Sequence, residues 1–200
     1  MQSKSSIFIV DDDEAICDAL SGLFESEGFD AQSFASAEAF LAAGNENAPG
    51  CAIVDIQMPG MSGLDLQKEL VRRGATIPVI VLTSHGDVTT AVTALKGGAI
   101  DFIEKPFKVE ALMASVTEAL SRQSRHDRAK AERAEIAARL SRLTAREREV
   151  LDLVVAGDPN KVVAAKLGIS VRTAETHRAK VMDKMECANL PALIHLMLLR

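Results

Sequence analysis

The chain has 200 residues, of which 48% are hydrophobic and 26% are charged, a balance typical of globular proteins that bury apolar cores. Residues 1–120 carry 7 Lys and Arg against 18 Asp and Glu, whereas residues 121–200 carry 16 against 10, so an acidic part precedes a basic part. No segment approaches the ~18 uninterrupted apolar residues of a membrane span, and no apolar signal core is present. These features argue against a membrane protein, and we expect a cytoplasmic protein with no membrane partner.

Short apolar runs alternate with longer amphipathic stretches along the acidic part. The runs are Ile7–Val10, Ala31–Phe34, Ala52–Val54, Val79–Leu82 and Phe102–Ile103, the second being the weakest. The amphipathic stretches cover 14–27, 36–43, 63–73 and 87–97, and a fifth helix is expected to begin near Lys108. Alternation of this kind is typical of repeated βα units. It predicts an α/β domain over residues 1–120, with a five-stranded parallel sheet.

The composition changes after residue 120. Residues 121–140 are rich in Arg, Lys, Glu, Ala and Gln and contain no Gly or Pro, which favours a charged helical linker. Beyond it, Thr144 with Glu147 three residues later has the pattern of a capping box. Helical patterns then cover 144–156, 160–167, 171–185 and 190–199. We therefore predict an all-α, four-helix domain over residues 141–200.

Polar side chains stand at the ends of the predicted strands. Asp11 and Asp12 follow the first strand and Asp55 ends the third, so the carboxyl edge of the sheet should bring them together. Clustered carboxylates suit a hard divalent cation, and Mg²⁺ is the best match. Thr83 and Lys105 follow the fourth and fifth strands at the same edge. The set predicts phosphoryl transfer, with Asp55 attacking phosphorus and the other groups neutralising or holding its oxygens.

The segments around these residues resemble the receiver domains of bacterial two-component response regulators. The matching segments are residues 8–12, 54–63, 81–84 and 101–107, and the resemblance covers about 5–122. It implies a flavodoxin-like fold, with Asp55 as the phosphoacceptor and a cis proline after Lys105. It also implies that Mg²⁺, or another divalent cation, is bound by Asp11, Asp12, Asp55 and the backbone carbonyl of Gln57.

The resemblance also implies a switch. Thr83 would move toward the phosphoryl group and Phe102 would turn inward, although an ordinary core or edge role for Phe102 remains the alternative. The affected surface would form a homodimer on phosphorylation, as in regulators of the FixJ type, whose loop resembles residues 85–87. This dimer face comprises Val88, Val92, Leu95, Lys96 and Phe102. Gln57 and His85 are candidates for tuning dephosphorylation.

The basic part contains a helix-turn-helix pattern. A short helix ends at Gly168 and a second, basic helix begins at Val171, and the excess of Lys and Arg suits contact with a polyanion. Uneven solvated surface charge is the alternative reading of the charge alone. The pattern resembles the LuxR/NarL-type DNA-binding domain over about 141–200. The order of the two domains is that of the NarL/FixJ family.

The helix from Val171 is expected in the major groove of double-stranded DNA. The resemblance places three side chains toward base edges, namely Glu175, Thr176 and Ala179. It leaves others for the phosphates, namely Lys161, Arg172, Thr173, His177, Arg178 and Lys180. Ala174, where valine is usual, and the negative charge of Glu175 depart from the family pattern. The apolar helix over 190–199 suits either the core or a second dimer surface.

The leading hypothesis is a transcription regulator that a partner histidine kinase phosphorylates on Asp55, with DNA and RNA polymerase as further partners. Its enzymatic activity would be limited to its own phosphorylation and dephosphorylation. A phosphatase of the haloacid-dehalogenase type is the first alternative, but it needs an acid where Gln57 stands. The second alternative is a phosphate sink, or a protein that binds DNA without phosphorylation. Whether the acidic domain masks the basic one stays open.

Overall fold

The structure is a computed structural model that describes residues 5–84 and 87–199, so the prediction for His85 lies outside the described residues. The chain divides into two compact units, Met1–His126 and Asp127–Arg200. Within the described ranges, no helix combines the length and the apolar character that a membrane crossing requires.

The first unit is a parallel sheet with helices between its strands. Its elements are β1 (Ser6–Val10), α1 (Glu14–Ser26), β2 (Asp30–Phe34), α2 (Ala37–Ala43), β3 (Gly50–Asp55), α3 (Gly63–Arg72), β4 (Val79–Thr83), α4 (Val88–Lys96), β5 (Asp101–Glu104) and the start of α5 (Val109–Ser141). The strand order is β2-β1-β3-β4-β5, and all pairs are parallel. The prediction of a flavodoxin-like, five-stranded parallel sheet is confirmed.

The sheet is apolar on both faces, as expected where helices cover each side. One face contributes Phe8, Val10, Ala52, Val54, Val79 and Val81 to one core cluster. The alternate residues Ile7, Ile9, Cys51, Ile53, Ile80 and Leu82 belong to the other cluster. Because both faces are apolar, polar groups concentrate at the strand ends, where the functional site is built.

Helix α5 contributes to the cores of both units. Leu112, Val116 and Ala119 are buried in the first unit, and Ile136 and Leu140 are buried in the second. The helix is continuous over Val109–Ser141, so the segment interpreted as a linker is helical in the structure. Ile136 and Leu140 are four residues apart and lie on one helical face, which explains why both reach the same core.

The second unit contains four further helices among its described residues. They are α6 (Ala145–Val155), α7 (Asn160–Leu167), α8 (Val171–Lys184) and α9 (Leu190–Leu198). The capping box predicted at Thr144 and Glu147 is present. The core joins α6, α7, α8 and α9 to the end of α5 and includes Val150, Leu151, Val154, Val163, Ala174, Val181, Met185 and Leu193. Each of the four helical patterns predicted from the sequence corresponds to one of these helices.

Glu147 is a buried carboxylate that connects α6 to α8. Its side chain accepts hydrogen bonds from the backbone N–H of Thr144 at 2.9 Å and from Lys184 Nζ at 2.6 Å. The hydrogen bond from Lys184, followed by that from Thr144, lowers the pKa of Glu147 to about 2. The ionised form therefore stabilises the fold above the ordinary pKa of 4.5, and this contribution is lost as the pH falls toward 2.

We expect Glu147→Gln to reduce the free energy of unfolding by about 1–2 kcal/mol at neutral pH, because a charged hydrogen bond becomes a neutral one. The loss should shrink between pH 4.5 and pH 2, the interval that separates the two pKa values. Urea denaturation of the full chain at several pH values measures both effects. Glu149→Gln is the control, because Glu149 forms an exposed pair with Arg146. A pH-independent difference would contradict the assignment.

Candidate functional site

Two buried carboxylates share one ammonium group at the carboxyl edge of the sheet. Asp11 follows β1 and Asp55 ends β3, and these strands are neighbours. Lys105, which follows β5, places Nζ 2.6 Å from Asp11 Oδ2 and 2.7 Å from Asp55 Oδ1. Asp11 is 3% exposed and Asp55 is 5% exposed. The Lys105–Pro106 peptide bond is cis, as the resemblance implied.

The second oxygen of each carboxylate accepts a backbone hydrogen bond. Asp11 Oδ1 accepts from the N–H of Asp13 at 2.9 Å, and Asp55 Oδ2 accepts from the N–H of Gln57 at 2.6 Å. Asp13 in turn caps α1, accepting from the backbone of Ala15. Both carboxylates are thus held by one backbone contact and one ammonium contact, and such charge-assisted bonds fix their orientation.

The two aspartates also keep Lys105 charged. Burial by itself lowers the pKa of a lysine, but the hydrogen bonds and the negative charges of Asp11 and Asp55 outweigh it. The pKa of Lys105 is therefore raised above its ordinary value of 10.5. At neutral pH the site contains a permanent positive charge that can bind the oxygens of a phosphoryl group.

The two carboxylates border a cavity of about 230 Å³. Its lining consists of Asp11, Asp12, Asp13, Asp55, Gln57, Ser84 and Lys105. Asp12, Gln57 and Ser84 are exposed, so the cavity is open to small solutes. Sequence reasoning did not single out Asp13 or Ser84. Their positions in the sequence, directly after Asp12 and Thr83, could have indicated that they line the site.

The donor groups around the cavity suit a hard divalent cation. Carboxylates and a backbone carbonyl supply only oxygen, the ligand type that Mg²⁺ prefers. Within the described parts of the chain, no group of three acidic, His or Cys side chains is arranged to hold a metal ion. Asp11 and Asp55 contact the Lys105 ammonium, and Asp12 is exposed. The residues fit the cation by donor chemistry, while their present arrangement favours the ammonium.

Gly63, the first residue of α3, lies against the backbone of Asp55. A Cβ atom at Gly63 would lie 2.1 Å from the carbonyl oxygen of Asp55 and 2.9 Å from the carbonyl carbon. Both atoms belong to the backbone and cannot rotate away. The absence of a side chain at this position therefore allows α3 to begin directly beside the candidate phosphoacceptor.

We expect Gly63→Ala to reduce the free energy of unfolding by about 2 kcal/mol, because the added methyl group forces β3 and α3 apart. Gly22→Ala is the matched control, since Gly22 lies within α1 and a Cβ there has no neighbour within 4 Å. That change should stabilise the protein by roughly 0.5–1 kcal/mol through helix propensity. Thermal or urea denaturation distinguishes the two, and equal effects would contradict the close approach.

The residues of the predicted switch and dimer face lie on β4, α4 and β5. Thr83 is buried, whereas Phe102 is half-buried and packs against the core cluster that contains Phe8 and Val81. On α4, the exposed predicted dimer residues are Val88, Val92, Leu95 and Lys96. Val88 is 80% exposed. An apolar surface of this kind is available to a partner, and its role remains a prediction.

The predicted DNA contacts lie on α7 and α8. The exposed ones are Lys161, Arg172, Thr173, Glu175, Thr176, Ala179 and Lys180. His177 and Arg178 are half-buried. Arg178 Nη1 donates to Asn160 Oδ1 at 2.9 Å, so this side chain joins α8 to the start of α7. Ala174 is buried in the core of the second unit.

Comparison with known protein families identifies both domains. The model of the response regulator receiver domain matches residues 7–117, and the model of the bacterial regulatory proteins of the luxR family matches 141–197. The chain belongs to the response regulators. This response regulator joins a receiver domain to a LuxR-type DNA-binding domain, as the motifs implied, and receiver domains bind a divalent cation at the phosphorylation site.

Relatives match this response regulator along both domains. The transcriptional regulatory protein FixJ of Azorhizobium caulinodans is 46% identical over 199 residues, covering 100% of this chain and 94% of FixJ. The solved structure of the response regulator StyR has a TM-score of 0.90 at 36% identity and 98% coverage of both chains. Full-length FixJ from B. japonicum has a TM-score of 0.62 at 39% identity, covering 99% of this chain and 98% of that one.

Proposed function

We propose that this response regulator is switched by phosphorylation of Asp55 and that a partner sensor histidine kinase supplies the phosphoryl group. The observation that carries the proposal is the arrangement of Asp55 itself. It is buried, borders an open cavity, and has its two oxygens held by Lys105 Nζ and the backbone N–H of Gln57. An oriented carboxylate beside a permanent cation is suited to attack phosphorus.

In the transfer, an oxygen of Asp55 forms a bond to phosphorus while the bond from phosphorus to the imidazole nitrogen of the kinase breaks. The electron pair leaves with the imidazole, and Asp55 becomes an acyl phosphate. Lys105, now bonded to both carboxylates, exchanges a carboxylate oxygen for a phosphoryl oxygen. Asp11, Asp12, Asp55 and the Gln57 carbonyl would hold a divalent cation, which would supply further positive charge. Water later hydrolyses the acyl phosphate, and no other enzymatic activity is proposed.

The second domain converts the switch into DNA binding. Thr83 and Phe102 convert phosphorylation into a change of the α4 and β5 surface, which becomes a homodimer interface. Two LuxR-type domains then bind double-stranded DNA through the exposed residues of α8, and RNA polymerase is the further partner. We assign the receiver to residues 1–120, the charged helical linker to 121–140 and the DNA-binding domain to 141–200.

Incubation with acetyl phosphate and Mg²⁺ tests the proposal. We expect one phosphoryl group per chain by intact mass, a shift from monomer to dimer, and a DNA affinity that rises about tenfold or more. The probe is a duplex selected from a random-sequence library with the phosphorylated protein. A chain that takes up no phosphoryl group, or one whose dimerisation and DNA affinity do not respond to it, would refute the proposed switch.

A further inference from the structure

A side chain at the start of β5 bridges that strand to α5. Asp101 Oδ1 accepts a hydrogen bond from the backbone N–H of Phe102 at 2.8 Å. Asp101 Oδ2 accepts from the hydroxyl of Ser115 on α5. Ser115 is 8% exposed and Asp101 is half-buried, so neither group is fully solvated. One carboxylate thus holds the backbone of Phe102 and a hydroxyl on the next helix.

The Ser115 hydroxyl has a single proton and two acceptors within reach. Its oxygen also lies 3.1 Å from the carbonyl oxygen of Ala111, one turn earlier in α5. A carboxylate is the stronger acceptor, because hydrogen bonds to charged groups are shorter and stronger than neutral ones. The interaction between β5 and α5 is therefore the one that Ser115 favours.

Strand β5 is well placed to move. Among the described residues it is an edge strand that pairs with β4 alone, so no described strand lies on its other side. Its carboxyl end leads directly to Lys105, whose ammonium contacts Asp11 and Asp55. A change in the contacts of Lys105 therefore acts on a short strand that only one ladder of hydrogen bonds holds in the sheet.

Helix α5 connects this strand to the second unit. Leu112 and Val116, on either side of Ser115, are fully buried in the receiver core. The same helix continues without interruption to Ser141 and contributes Ile136 and Leu140 to the core of the second unit. The first turns of α5 thus belong to a helix that has residues in the core of each unit.

We propose that Asp101 and Ser115 are positioning residues that transmit the effect of phosphorylation from β5 to α5 and so to the DNA-binding domain. The inference rests on the proposed function, because it assumes that phosphorylation of Asp55 alters β5. Neither residue contacts the phosphoryl site, so their loss should leave phosphorylation unchanged and weaken its consequence.

The test compares Ser115→Ala with Thr117→Ala in the full-length chain. Thr117 is the matched control, since it is exposed on the same helix and its hydroxyl donates to the Met113 carbonyl within α5. Both variants are incubated with acetyl phosphate and Mg²⁺, and intact mass gives the phosphoryl content. Titration of the selected duplex gives the ratio of DNA affinities with and without phosphorylation. A structural role alone would lower stability and leave this ratio unchanged.

We expect Ser115→Ala to take up as much phosphoryl group as the wild type, with the affinity ratio reduced about fivefold or more, and Thr117→Ala to keep the wild-type ratio. If Ser115→Ala keeps the wild-type ratio of DNA affinities, this inference is overturned while the proposed function stands. A wild-type protein that takes up no phosphoryl group would overturn the proposed function and this inference with it.

A second variant keeps the test decisive if Ser115→Ala does not fold. Asp101→Asn has the same shape but lacks the negative charge that strengthens both hydrogen bonds. We expect a reduced affinity ratio at unchanged phosphoryl content. An unchanged ratio in this variant would equally overturn the inference.

Discussion

Replacement of Asp55 by asparagine should abolish covalent phosphorylation by acetyl phosphate. The amide has the shape of the carboxylate and can still accept a hydrogen bond from Lys105, but its oxygen is too weak a nucleophile to form the acyl phosphate. The fold should be retained. Asp11 and Asp55 both contact the Lys105 ammonium, so the change removes one of two neighbouring buried negative charges and leaves the other paired. Intact mass spectrometry measures the phosphoryl group, and urea denaturation measures stability.

Asp30→Asn is the matched control for this experiment. Asp30 is an exposed carboxylate at the start of β2, in the same unit but on the edge strand farthest from β5. The control should be phosphorylated like the wild type and should show the same increase in DNA affinity. Persistent phosphorylation of Asp55→Asn at wild-type levels would show that another residue is the phosphoacceptor.

Replacement of Lys105 by methionine should have the largest effect on stability among the receiver variants considered. Methionine fills similar space but leaves Asp11 and Asp55 buried without their ammonium partner. Removing one member of a buried charged set costs about 3 kcal/mol or more, because the remaining charges lose their compensation. The pKa of Lys105 lies above 10.5, so the wild-type contribution is present throughout the neutral range and is lost only in strong alkali.

Saturating Mg²⁺ should restore much of the stability of Lys105→Met and stabilise the wild type less, because a ligand of the folded state stabilises by mass action. Lys68→Met is the control, since Lys68 forms an exposed pair with Asp65 and its loss should cost under about 1 kcal/mol. Urea denaturation with and without Mg²⁺ measures all three proteins. A cost for Lys105→Met no greater than for Lys68→Met would contradict the assigned role of the ammonium.

The more deeply a strand is buried, the more clearly the sequence predicted it. β1, β3 and β4 are covered on both faces and therefore appear as continuous apolar runs. β2 is an edge strand, and three of its five residues are exposed. Its apolar run is therefore the weakest of the five. Only the two middle residues of β5 appear as a run, because Asp101 and Glu104 occupy its ends.

The helical character of residues 121–140 was predictable from composition, but the role of part of this segment was not. Ile136 and Leu140 are two apolar side chains in a charged stretch, and an isolated pair of this kind is compatible with exposure. Their burial depends on the core that α6, α7, α8 and α9 form with the end of α5. Local sequence does not encode that contact, because the partners lie in later parts of the chain.

The sequence by itself determined the α/β and all-α parts, the strand ends that carry Asp11, Asp55 and Lys105, and the chemistry those groups support. Only the tertiary structure decided that one ammonium contacts both carboxylates, that Arg178 bonds to Asn160, and that Asp101 joins β5 to α5. The physical reason is that periodicity and strand-end position depend on neighbouring residues. Side-chain contacts between separate elements depend on how the whole domain packs.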